Sequence, residues 1–107
     1  QNKYAEAMMQ YIRQHYAESD LSVEKLCAYL HLSSTYFSTL FKRETGTSFT
    51  AYVTTVRMEA AAEAIRGTEE KTYLIAQRCG YEDPNYFSYV FKRHFGVTPT
   101  KYRSEGK

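Results

Sequence analysis

Ser38 stands one helical turn before Lys42 and Arg43, and Ser88 stands in the same way before Lys92 and Arg93. The stretches that hold them, YFSTLFKRETGTSFTAY at 36–52 and YFSYVFKRHFGVTPTKY at 86–102, nearly repeat one another. A hydroxyl beside a cationic pair suits hydrogen bonding to an oxyanion or a base edge; it does not make a nucleophile with its base. His15, His31 and His94 are scattered and form no Ser/His/acid or Cys/His order, and no glycine-rich phosphate loop is present, so no enzyme is expected. Cys27 and His31, at i and i+4, have a spacing that could hold a metal, but no second pair completes a site. No metal and no cofactor is expected.

The elements that must carry these residues all have the helical period. Ala5, Met8, Ile12 and Tyr16 mark a first amphipathic helix that stops near AESD. Ser22 is a good N-cap, with Leu21 placed to staple onto Leu26, for a helix over 23–30 that buries Leu26, Cys27 and Leu30. Ser33 caps the next, which turns Phe37, Leu40 and Phe41 inward and ends at Gly46. Ser48 then caps a longer helix, about Phe49 to Arg66 and roughly 27 Å long, with Phe49, Tyr52, Val53, Val56, Ala60 and Ala64 on one stripe. Thr72 opens a short helix over 73–79. Asp83-Pro84 starts a helix that buries Phe87, Val90 and Phe91 and stops at Gly96, and Thr98-Pro99 starts the last one. The chain reads as all-α, with seven helices. A first helix-turn-helix subdomain covers 3–47, a linker helix 48–67 and a second subdomain 71–104.

Packing explains the repeated Phe37/Phe87, Phe41/Phe91 and Gly46/Gly96, but it does not require the repeated serine and cationic pair on the solvent side. Cations in a last helical turn also suit the helix dipole, so a structural account of them exists. Their repetition favours a partner that itself repeats. Duplex DNA presents its major groove again every ~34 Å, and a stiff helix between two helix-turn-helix units is a spacer of about that length.

The stretch GYEDPNYFSYVFKRHFGVTPTKYR resembles the signature of the DNA-binding domain of AraC/XylS-type bacterial transcription regulators. LSSTYFSTLFKRETGTSF is similar to that family's first helix-turn-helix, and VRMEAAAEAI to its linker helix; the resemblance spans about Tyr4 to Arg103. It implies a seven-helix, two-lobed domain whose recognition helices, about 34–44 and 84–95, enter adjacent major-groove segments of promoter DNA. The wording GYEDPNYFSYVFK looks most like members in which the output domain follows a receiver domain. The resemblance also implies contact with RNA polymerase, a monomeric isolated domain, and a longer protein that dimerises through a regulatory domain missing here. The start of the chain, already amphipathic and without an initiator Met, fits a cut through a longer protein.

The N-terminal half of a recognition helix meets base edges. That selects Thr35, Ser38 and Thr39 on the first and, by the family's pattern, Asn85, Ser88 and Tyr89 on the second. Asn85 can pair in a bidentate manner with adenine, or be an ordinary second residue of a helix after proline. Many relatives carry Arg where this chain has Thr39 and Tyr89, so readout is expected to rely less on guanine and more on thymine methyls and DNA shape. Lys42, Arg43, Lys92 and Arg93 are expected on phosphates, helped by the helix starts at Ser33 and Thr98. The stems of Arg43 and Arg93 can instead cover apolar surface. Arg57, inside the linker helix, is expected to form a structural ion pair with Glu44 or another acid.

Bulk properties agree without deciding the matter. The 107 residues are 43% hydrophobic and 24% charged, as in ordinary globular chains, with no membrane-length apolar run. The net charge of +2 is too small to argue for nucleic acid by itself. Cys27 and Cys79 lie in apolar helical patterns, which suits reduced, buried thiols and a cytoplasmic protein. Eleven tyrosines keep open a second reading, a helical module for protein–protein interaction without base readout.

Overall fold

A computed structural model describes residues 3–106. Seven helices follow one another: α1 (Lys3–His15), α2 (Val23–Leu30), α3 (Ser34–Thr45), α4 (Phe49–Gly67), α5 (Thr72–Arg78), α6 (Pro84–Phe95) and α7 (Pro99–Glu105). No strand occurs among the described residues, and no helix there is long and apolar enough to cross a membrane.

Local chemistry sets most helix ends. The side chains of Ser22, Ser33, Ser48, Asp83 and Thr98 each accept a hydrogen bond from a backbone N–H in the first turn of the following helix, satisfying donors that the helix cannot. α5 differs from the expectation. It begins at Thr72, with Lys71 at the cap position and no side-chain cap bond. Gly46 and Gly96 end α3 and α6 in the left-handed region, at φ 78° and 84°, and return their N–H groups to the carbonyls of Lys42 and Lys92.

Two separate cores result. The first gathers Met8, Ile12, Leu26, Phe37, Leu40, Phe41 and Val53 from α1–α4. The second gathers residues from α4–α6, including Met58, Ala61, Ile65, Ile75, Phe87 and Phe91. The repeat seen in the sequence is a repeat of packing: Phe41 meets Tyr52 edge-on at 5.5 Å, and Phe91 meets Tyr102 edge-on at 5.3 Å. The turns match too. Leu32 N–H donates to the Cys27 carbonyl and Tyr81 N–H to the Ala76 carbonyl, so the second repeat holds one more residue, Glu82, before its cap.

α4 departs from its expected single stripe. Its first half packs Phe49, Tyr52, Val53 and Val56 into the first core. Its second half buries Met58, Ala61, Ala62 and Ile65 in the second, with Ala60 and Ala64 only partly buried. One helix serving two bundles that lie in different directions spreads its apolar residues around its axis, and this hides the period. Tyr16 lies in a turn beyond α1, and Cys27 and Leu30 are half-buried, leaving Leu26 as the buried anchor of the eight-residue α2. Of the two free cysteines only Cys79 is buried, and burial pushes its thiol pKa up.

His31 ends α2 at φ 60°, where the second repeat has Gly80 at φ 94°. A side chain at that conformation costs free energy, so His31→Gly is expected to stabilise the first lobe by about 0.5–1 kcal/mol, net of the extra freedom of unfolded glycine. A higher urea midpoint with an unchanged slope checks this.

Candidate nucleic-acid interface

The cores dictate which faces of α3 and α6 remain outside. With Phe37, Leu40 and Phe41 inward, α3 exposes Thr35, Ser38, Thr39, Lys42 and Arg43. With Phe87 and Phe91 inward, α6 exposes Asn85, Tyr89, Lys92 and Arg93, while Ser88 is half-buried. Val90, expected inside, is only partly buried against the second core. Each helix thus shows polar hydrogen-bonding groups toward its N-terminal half and a cationic pair in its last turn.

Among the described residues Lys42, Lys92 and the amide of Asn85 have no ion-pair or hydrogen-bond partner, so no intramolecular bond must break before they engage a ligand. Asn85 sits at the second position of α6, where its backbone N–H donates to Asp83 Oδ1 at 2.9 Å. Arg43 differs from Lys42, since its Nε lies 3.5 Å from Glu44 Oε2. That exposed contact adds little stability and competes weakly with a phosphate. Ser33 and Thr98 accept from the N–H groups of Tyr36 and Lys101, which leaves each hydroxyl a proton to donate.

Two further residues share this surface. Tyr36 and Tyr86 open the repeated stretches and are 46% and 57% exposed, large for rings beside a core. On α6 the rings form a run. Buried Tyr81 lies 6.1 Å from Tyr86, Tyr86 stacks on Tyr89 at 6.3 Å, and the Arg93 guanidinium covers Tyr89 at 5.8 Å. Arg93 therefore spends one face on Tyr89. The signal that could have found Tyr36 and Tyr86 was their identity at the head of both copies.

Arg57 makes no ion pair with Glu44. Its Nε donates to the Tyr16 carbonyl at 2.9 Å and its Nη2 to the Glu18 carbonyl at 2.8 Å, and its guanidinium lies 5.4 Å from the centre of the Tyr81 ring. The turn after α1 takes the Tyr16 carbonyl out of the helical ladder and leaves the Glu18 carbonyl only the Leu21 N–H at 3.2 Å, and a planar fork can donate to both at once. Arg103 repeats the device within the second lobe, on the carbonyls of Ile65 and Glu70 at 2.7 and 2.9 Å.

His31 lies beyond the end of α2, so it does not share a helix face with Cys27, and among the described residues no group of three or more His, Cys, Asp or Glu could hold an ion.

A family model described as a helix-turn-helix domain matches residues 26–105. The HTH-type transcriptional activator RhaR of Mannheimia succiniciproducens is 46% identical over 65 residues, which cover 61% of this chain and 24% of that protein. The chain spans about a quarter of the length of such curated relatives. The C-terminal domain of AraT, a response regulator from Geobacillus stearothermophilus, superposes with a TM-score of 0.95 at 39% identity, over 97% of this chain and 86% of that one. The DNA-binding domain of AdpA, a global transcriptional factor solved in complex with a target DNA, superposes with a TM-score of 0.89 at 26% identity, over 98% of this chain and 93% of that one.

Proposed function

The chain belongs to the AraC/XylS type of helix-turn-helix transcription-regulator domains, a non-enzymatic class, and on that premise we propose that it binds promoter DNA with two reading helices. α3 and α6 enter successive major-groove segments on one face of the duplex, with α4 as the spacer. The observation that carries this is the paired exterior: two helices on separate cores present the same order of hydroxyl and cationic groups. The domain is 43 Å long, enough to place two heads about one DNA turn, ~34 Å, apart. The units are the helix-turn-helix of 3–47, the linker of 48–67 and the helix-turn-helix of 71–104.

Thr35, Ser38 and Thr39 read bases from α3, and Asn85, Ser88 and Tyr89 from α6. Lys42, Arg43, Lys92 and Arg93 hold phosphates, joined by the hydroxyls of Ser33 and Thr98. With Tyr86 and Tyr89 in ring contact and both more than half exposed, α6 offers aromatic surface to sugars and thymine methyls in place of a guanine-reading arginine. The whole protein acts in the cytoplasm, dimerises through a regulatory domain of the receiver type and contacts RNA polymerase through a face free of DNA.

Selection from random duplexes, followed by titration at several salt concentrations, tests the reading. Two enriched elements about one turn apart, low in fixed guanines, with a steep salt slope, are expected. Strongly fixed guanines opposite either helix would remove the thymine-and-shape account. Binding of a protein partner with no salt-dependent DNA binding would replace DNA recognition altogether. Lys42→Ala and Lys92→Ala are each expected to weaken all sequences alike and to reduce the salt slope by about one. A loss confined to one sequence would contradict the phosphate assignment.

A further inference from the structure

We propose that Arg57 is the brace that fixes the distance and angle between α3 and α6, and is thus a positioning residue for DNA recognition although it lies on neither reading helix. The inference rests on the two-helix reading of the preceding section. Its starting point is that the lobes have separate cores with α4 as the element packed into both. A single helix can bend, so the relation of two bundles on its opposite ends depends on what else crosses between them.

Arg57 lies at the centre of the contacts that cross between the lobes. The guanidinium bridges the carbonyls of Tyr16 and Glu18, in the turn that follows α1 of the first lobe. It also lies over the ring of Tyr81, in the α5–α6 turn of the second. Tyr81 is 8% exposed and Arg57 is half-buried, so this cation–π contact is partly shielded from water, which strengthens it. Gly80 completes the joint. A Cβ there would come within 2.7 Å of the Tyr16 carbonyl oxygen and 2.8 Å of Arg57 Nε, so the turn of one lobe sits directly on the turn of the other. Beside it, Ser19 Oγ donates to Glu82 Oε2 at 2.9 Å. Glu82 is the residue by which the second turn exceeds the first, and it reaches across to the first lobe. Arg103 makes the same two-carbonyl fork wholly within the second lobe, which isolates the difference: only Arg57 adds a contact with the other lobe.

Duplex DNA makes such a brace matter. Each inserted base pair turns the groove by roughly a tenth of a revolution, so a rigid pair of heads fits one spacing. A loosened pair follows several spacings but must be ordered on binding, which lowers affinity at the best one.

Arg57→Met keeps the stem without the donors; Arg57→Lys keeps the charge but its compact ammonium has no planar fork to match both carbonyls. Two measurements are made on each. Backbone ¹⁵N relaxation of the free domain is expected to give one tumbling tensor for the native chain and two for the variants. Titration on duplexes whose two selected elements are moved apart one base pair at a time is expected to show a loss of about tenfold or more per misfit step for the native chain. For both variants that dependence should flatten to about threefold or less, with weaker binding at the best spacing. A folded Arg57→Lys with native tumbling and a native spacing profile overturns the brace. A native chain indifferent to spacing overturns the two-helix reading, and the brace's role in recognition with it; the relaxation comparison tells the two failures apart.

Discussion

Phe87→Ala is expected to cost about 3–5 kcal/mol, the largest single effect on stability. Phe87 is fully buried and touches Phe91 at 5.9 Å and Tyr81 edge-on at 5.5 Å, so the side chain leaves a large cavity lined by other rings. The loss should fall unevenly. The Phe87 core excludes α1–α3, and those helices keep Met8, Ile12, Phe37 and Phe41 together. Amide exchange should therefore rise sharply in α5–α7 and far less at Met8 and Ile12. Phe37→Ala is the mirror experiment, exposing α1–α3 first. Equal loss of protection along the whole chain in both variants would mean that α4 couples the lobes into one cooperative unit.

The largest expected effect on recognition belongs to Asn85. Its exposed amide has no partner among the described residues, and Asp83 holds the first turn of α6 that presents it. A bidentate Asn–adenine pair discriminates by about 1–3 kcal/mol, so Asn85→Ala should lose roughly five- to 150-fold toward the preferred duplex. The loss must be specific: duplexes with another base at that position should bind the variant and the native chain almost equally. Competition titrations with all four bases there decide it. Uniform weakening across the four would place Asn85 on the backbone, with Lys92, or in the fold alone.

The contrast between Asn85 and Arg57 marks the boundary of what can be read from a linear chain. The exposed position of Asn85 was legible because a proline, a capping aspartate and a periodic apolar face place it on the outside of a helix, all within a few residues, while its choice as a base-reading residue came from the family's pattern. The role of Arg57 was not legible. Its partners, Tyr16 and Glu18, are 41 and 39 residues away, and an arginine among apolar neighbours offers no sign that it will seek carbonyls rather than a carboxylate. The α4 stripe failed for a related reason. Periodicity locates the buried face of a helix that packs against one body, whereas α4 packs against two. Tyr36 and Tyr86 had a local signal, but pattern alone does not tell an exposed tyrosine from a core one.

By itself, then, the sequence determined the helices, almost all of their caps, the turn glycines, the duplicated plan and the outward placement of Ser38 and the two lysines, while Ser88, expected to face solvent, is half-buried. These follow from backbone hydrogen bonds and side-chain period, which act over one or two turns. Only the tertiary structure decided how the two copies face each other: the division of α4 between two cores, the fork of Arg57, the seat of Gly80 against Tyr16 and the reach of Glu82 to Ser19. Those contacts join segments far apart in the chain, and their geometry exists only once both lobes have packed.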